Sequence, residues 1–245
     1  MTDAVVLLHG AGRSSLSMYR MARALVGRGY QVYNLGYPSR RLPIEGLAGY
    51  IGKQIARRQL DLFDNIHFVT HSLGGIVLRS FLKTNHLPNL GRVVMLAPPN
   101  QGSELVDFFS RFPFYDWFLG PVGTQLGTGP DSLPNSLGPV DVPLGIIAGN
   151  RSWNPLFSRL IPGPDDGRIS VKNTKLVGMV DFIEVPCIHP LVMNYRLVIQ
   201  ECIHFLQQGC FLSGMERKGD GVNYQIIRTK VEAQSNVEKK FRDLR

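Results

Sequence analysis

The segment Thr70-His71-Ser72-Leu73-Gly74-Gly75 constrains this chain more than any other, because of what flanks it. Before it, Asn65-Ile66-His67-Phe68-Val69 is short, apolar and rich in strand formers. After it, Ile76-Val77-Leu78-Arg79-Ser80-Phe81-Leu82-Lys83 has the apolar spacing of a buried helix. A serine between such elements must sit on a sharp turn, which lifts its Oγ clear of the backbone. Small residues at 74 and 75 permit the bend, and the helix aims its first N–H groups toward developing negative charge. Thr70 stands where turns of this kind usually carry glycine; a β-branched residue fits there if φ stays negative. A Ser-Leu-Gly-Gly helix start without chemistry is the plainer alternative.

Ala4-Val5-Val6-Leu7-Leu8 is a continuous apolar run, as expected of a buried parallel strand. His9-Gly10-Ala11-Gly12 follows at once. A glycine-rich turn after a strand lets backbone amides approach a ligand closely. Alone it is a poor signal, but paired with the serine turn downstream it is a good one.

An acid and a base follow in order. Asp166-Gly167-Arg168-Ile169-Ser170-Val171 precedes a strand-like stretch, Asp181-Phe182-Ile183-Glu184-Val185-Pro186, and His189 comes just past it. With these motifs the chain resembles the α/β-hydrolase superfamily, specifically small bacterial lipase/esterase-like serine hydrolases. Ser72, Asp166, His189 is the chain order of nucleophile, acid and base in that fold. The resemblance implies that the amides of Ala11 and Leu73 form the oxyanion hole. The turn Ala97-Pro98-Pro99-Asn100-Gln101-Gly102-Ser103 resembles the Pro-x-x-Gly-Ser turn of the same group. The likeness runs from residue 4 to about 210. Asp165 is a rival to Asp166 and Asp141 a weaker one; the Asp-Gly register favours Asp166.

The implied activity is hydrolysis of carboxylic esters, lipid-like or short-chain, through an acyl-enzyme and with no cofactor. Acyl transfer, or thioester or amide hydrolysis, would use the same residues. A non-catalytic relative binding a lipid or a protein partner is the remaining alternative; a complete serine, histidine and aspartate set argues against it.

Strands are expected near 4–8, 30–35, 65–70, 91–97, 143–149 and 181–186, and helices near 15–27, 43–60, 73–86 and 190–208. This alternation predicts a mostly parallel, doubly wound α/β sheet of about six strands. The full superfamily sheet has eight strands, so the resemblance implies a sheet without the first two, which are antiparallel in larger members. Gly46, Gly49 and Gly52 suggest close packing of the second helix on the sheet. Pro190 is expected to open the last helix, with Leu191, Tyr195, Val198, Cys202 and Phe205 on its apolar face. Residues 1–212 form the hydrolase domain, with a cap insertion at about 100–141, and residues 213–245 form a polar tail, a weak helix at most over Val231–Leu244. Aromatic residues crowd positions 108–118 of the insertion. Phe112, Phe114 and Trp117 are candidates to line an acyl site or face a lipid surface; simple packing of a short helix is the alternative. Gly and Pro dominate from Gly120 to Pro139, which predicts loop.

With 245 residues and 44% hydrophobic content the chain can bury one large core. The start lacks the charged and apolar regions of a secretory signal, and no run is long enough to span a bilayer. Cys187, Cys202 and Cys210, an odd number, read as reduced thiols, and the expected location is cytoplasmic. No histidines sit at metal-ligand spacing, so no metal is expected. The net charge of +8 is either a solvated basic surface or an attraction to anionic lipid head groups or acidic substrates. No nucleic-acid-binding module is present.

Overall fold

Apolar strands need cover on both faces, and the computed structural model, which describes residues 3–112, 120–212, 217–219, 222–224 and 227–228, supplies it. Strands β1 (Ala4–Leu8), β2 (Gln31–Leu35), β3 (Ile66–His71), β4 (Leu90–Leu96), β5 (Leu144–Gly149) and β6 (Asp181–Val185) run parallel in the order β2-β1-β3-β4-β5-β6. The main helices are α1 (Tyr19–Val26), α2 (Ile44–Arg57), α3 (Leu73–Thr84), α4 (Glu104–Phe109) and α5 (Arg196–Gln208). Side chains alternate across the pleat. Val6 and Leu8 of β1 therefore join α2 and α3 in one core, while Val5 and Leu7 join α1 and α5 in another. Each large aliphatic side chain so buried contributes about 1.5–3 kcal/mol.

The helices follow from their apolar spacing, with local corrections. α2 buries Ile44, Leu47, Ala48, Ile51 and Ile55 along one stripe. Its glycines do not contact the sheet: Gly52 meets the ring of Phe81 on α3, Gly49 faces open space, and Gly46 lies against Leu42 and Pro43. The first helix is preceded by a 3-10 turn, Ser15–Met18. The last is broken: Pro190 lies in a 3-10 turn, His189–Asn194, and α5 starts only at Arg196 because Tyr195 is extended. Leu191 consequently points to solvent. In the insertion, Pro121–Gln125 and Leu133–Ser136 are short helices, not loop. Each carries a proline in its first turn, where the missing N–H has no intrahelical acceptor to lose.

α3 is buried almost all round, with Arg79 inside. The guanidinium donates to the Asn100 carbonyl and side-chain oxygens and to the carbonyls of Pro134 and Gly138, tying the insertion to this helix. Burial lowers its pKa to about 10. Beyond residue 213, β7 (Arg217–Gly219) and β8 (Val222–Tyr224) form a hairpin, and β9 (Ile227–Arg228) pairs antiparallel with β6. An edge strand offers backbone groups to any extended segment, apolar or not, so composition conceals this pairing. Residues 231–244 lie outside the described set.

Candidate active site

All the motifs singled out in the sequence lie at the carboxyl ends of the strands, where open α/β sheets place their ligands. Ser72 joins β3 to α3 at φ 52°, ψ −121°, a left-handed conformation that L residues rarely adopt. Its N–H donates to the Leu96 carbonyl at 2.9 Å, which fastens the turn to β4. A side chain on Gly74 would meet the Leu8 carbonyl oxygen at 2.6 Å, and one on Gly75 the Pro98 side chain at 3.2 Å. Close approach of α3 to β1 thus demands glycine at 74, and the fit against the turn after β4 is tight at 75. Thr70 lies within β3, outside the positive-φ residues, so no glycine is needed there.

His189 follows β6. Its Nε2 is 3.0 Å from Ser72 Oγ, and its Nδ1 is 2.7 Å from Asp166 Oδ2. With Nδ1–H donating to the carboxylate, Nε2 is left as the acceptor for the serine hydroxyl. The other carboxylate oxygen of Asp166 accepts the amides of Arg168 and Ile169, at 3.0 and 2.9 Å, and the Asp166 carbonyl accepts the His189 amide at 2.9 Å. Asp165 turns away: its Oδ1 accepts the Gly167 amide at 2.7 Å and the Ser158 hydroxyl at 3.0 Å. Gly167, at φ 91°, makes that divergence possible. The Asp166 loop is also held from behind. Ser103 Oγ donates to the Arg168 carbonyl, and Glu104 Oε1 accepts from Ser170 and Asn173.

The Ala11 amide lies on the turn after β1, and the Leu73 amide opens α3. Neither finds an acceptor among the described residues. The turn is braced by His9, whose ring stacks on Tyr37 at 4.1 Å between centroids, whose carbonyl accepts the Tyr37 hydroxyl, and whose Nδ1 donates to Gly10 O. Burial keeps the His9 imidazole below its ordinary pKa and raises that of the Tyr37 hydroxyl.

His71 is also part of this assembly. Its Nε2 lies 3.1 Å from the His189 carbonyl oxygen. Burial, then the neighbouring charges, hold its pKa well below the usual value, so the ring is neutral and Nε2–H donates. Gly10 fits against it so tightly that a Cβ there would sit 2.8 Å from His71 Nδ1 and 3.3 Å from Ser72 Cβ. His71 and Tyr37 carry no sequence signal, since their partners are distant in the chain.

Of the aromatic candidates, Phe112 is 52% exposed and contacts Phe108 and Phe109, and Phe109 meets Phe157 edge-on, linking the insertion to the loop after β5. Phe114 and Trp117 lie outside the described residues. Among the described residues no three or more histidine, cysteine or acidic side chains cluster as metal ligands, and no helix is long and apolar enough to cross a membrane. The three cysteines are unbridged, Cys187 and Cys202 buried and Cys210 exposed.

Among curated protein sequences no relative matches this chain. Solved structures do. The mature form of Bacillus licheniformis lipase BlEst2 superposes with a TM-score of 0.65 at 18% identity, covering 84% of this chain and 91% of that one. The lin2722 product of Listeria innocua gives 0.56 at 15% identity, over 90% and 96% of the two chains. Aspergillus fumigatus lipase B gives 0.58 at 14%, over 84% of this chain and 53% of that one. At such identities the likeness establishes the fold. The family model described as the alpha/beta hydrolase family matches residues 5–193, most of the sheet and every element that carries the site, and this chain belongs to that family.

Proposed function

We propose that this protein is a serine hydrolase that cleaves carboxylic esters through an acyl-enzyme. One observation carries the reading: a single histidine, His189, bridges Ser72 Oγ at 3.0 Å and Asp166 Oδ2 at 2.7 Å, with the serine on a strained turn. In this reading Ser72 Oγ attacks the acyl carbonyl as Nε2 of His189 takes its proton. Asp166 holds the ring in the required tautomer and stabilises the imidazolium that forms. The free amides of Ala11 and Leu73 receive the oxyanion; removing one such donor elsewhere costs about 3–4 kcal/mol. The imidazolium returns its proton to the leaving alcohol, and water then repeats the sequence on the acyl group. No cofactor takes part.

The substrate is a small-molecule or lipid ester. Apolar side chains exposed on loops beyond the strands support the lipid-like end of that range and contact with a lipid surface: Leu16, Trp153, Leu156, Leu191 and Phe112. In the same reading the 100–141 insertion, tied down by Arg79, acts as a small cap.

A fluorophosphonate probe tests the proposal. Wild-type protein is expected to label at Ser72 and to hydrolyse members of a p-nitrophenyl ester series from two to sixteen carbons. Absence of labelling would remove the activated serine and the reading with it.

A further inference from the structure

Two arginines carry positive charge beside this site with no ion-pair partner among the described residues. Arg13 ends the turn of Ala11, its amide bonded to the Gly10 carbonyl at 3.3 Å, and Gly10 is the residue packed against His71 and Ser72. Arg168 follows Asp166 and donates its amide to the carboxylate that His189 uses, at 3.0 Å. Each stands two residues beyond a member of the proposed machinery, one on either loop. Neither guanidinium has a hydrogen-bond or ion-pair partner among the described residues.

Arg13 is half-buried and Arg168 exposed. Partial burial, followed by the positive charge of Arg168, holds the Arg13 pKa below its ordinary value, and both charges also disfavour protonation of His71. Arg40 runs along the same turn, its Cδ 3.7 Å from where a side chain on Gly12 would begin. Two like charges held close together, one of them partly desolvated and neither paired among the described residues, favour an anion that joins them. Arg79 shows the contrast, since its buried guanidinium is ringed by oxygens of Asn100, Pro134 and Gly138. The guanidinium fork matches the paired oxygens of phosphate and carboxylate groups. The excess of positive charge over the whole chain, +8, draws such groups from a distance.

We propose that Arg13 and Arg168 form an anion-binding subsite beside Ser72, and that the preferred substrate is an ester bearing a phosphate or carboxylate group near the scissile carbonyl. The proposal rests on the esterase reading for its substrate and on the arginines alone for its anion. A hydrogen bond to a charged group is among the stronger ones, so losing both guanidinium forks is expected to cost about tenfold or more in recognition of the anion.

Two measurements separate the parts. The first needs no turnover: melting temperature in sodium phosphate against sodium chloride of equal ionic strength, for wild type and for R13Q/R168Q. Phosphate should stabilise wild type beyond chloride, and in the double variant the excess should shrink to the general salting-out effect that sulfate also gives; an equal excess in both overturns the subsite. The second compares kcat/KM for an acyl ester of glycerol 3-phosphate with that for the same acyl ester of glycerol. The ratio should favour the phosphate ester by about tenfold in wild type, fall toward one in R13Q/R168Q, and be partly kept in R13K/R168K. A ratio near one in wild type for the soluble pair together with no preference among vesicles, or a ratio unchanged in the double variant, overturns the substrate assignment. Vesicles of phosphatidylglycerol and of phosphatidylcholine distinguish sources: a preference confined to vesicles assigns the anion to a lipid headgroup, and one in the soluble pair to a free phosphate ester. A phosphate-specific thermal shift with neither fluorophosphonate labelling nor ester turnover would refute the esterase reading and leave the anion site standing.

Discussion

His71 Nε2 lies 3.1 Å from the carbonyl oxygen of His189, so the residue before the serine holds the backbone of the histidine that faces that serine. The contact crosses from the end of β3 to the loop after β6, the two segments whose separation sets the distance from Oγ to Nε2. His71 makes no hydrogen bond to the serine hydroxyl, whose partner is His189, so in the proposed mechanism it is a positioning residue.

Replacing it tests that role. His71→Phe deletes the donor and leaves the buried His189 carbonyl unmet, at a cost of about 1–3 kcal/mol in stability. The expected kinetic effect is a fall in kcat of about tenfold or more with KM little changed, since 1 Å of misplacement is costly. His71→Gln, which keeps an N–H donor, should recover part of the loss. Equal activity in wild type and His71→Phe would show that the contact is packing alone.

Ser72 predicts opposite movements of activity and stability. Ser72→Ala should lower turnover by several orders of magnitude, as nucleophile deletions do. Ser72→Gly should be as inactive yet more stable than wild type, by about 1 kcal/mol, because glycine relieves the strain at φ 52°. Urea denaturation of the two variants reads the difference; a glycine variant no more stable than wild type would mean that the turn is unstrained.

The two neighbouring aspartates should separate cleanly. Asp166→Asn is expected to reduce the rate by up to about four orders of magnitude, the size of this change in a serine protease. Asp165→Asn keeps an oxygen able to accept the Gly167 amide and the Ser158 hydroxyl, and should cost about tenfold or less. Steady-state kinetics of both variants on one short ester decide between them. The larger loss at Asp165 would reverse the assignment.

Buried neutral histidines impose a pH dependence on folding. Burial holds His9 and His71 below their ordinary value of 6.5, His71 the more strongly. Between the folded and unfolded pKa the unfolded chain binds more protons, so stability rises with pH across that window. It should be level above about pH 6.5 and fall as the pH drops below, with a slope approaching about 1.4 kcal/mol per unit for each histidine concerned. Urea midpoints from pH 8 to pH 5 measure this, and His71→Gln should flatten the slope. A flat profile in wild type would mean that these rings are protonated in the folded protein.

What the sequence determined by itself was local. Apolar, strand-forming runs such as Ala4–Leu8 and Ile66–Val69, each with glycines a few residues on, identify buried strands and sharp turns, because strand burial and turn conformation depend on neighbours in the chain. The six parallel strands and the turn that carries Ser72 were legible for that reason, whereas the order Ser72, Asp166, His189 came from the family resemblance. Tertiary structure decided everything that depends on residues brought together from afar. It turned Asp166 and not Asp165 toward His189, set His71 under the His189 carbonyl, and turned the glycines of α2 away from the sheet. It also broke the last helix at Tyr195 and added β9 to the edge of β6. None of these is written in composition or periodicity. Each depends on the direction of one side chain, or on which backbone groups were left unpaired, and only the packed sheet defines those.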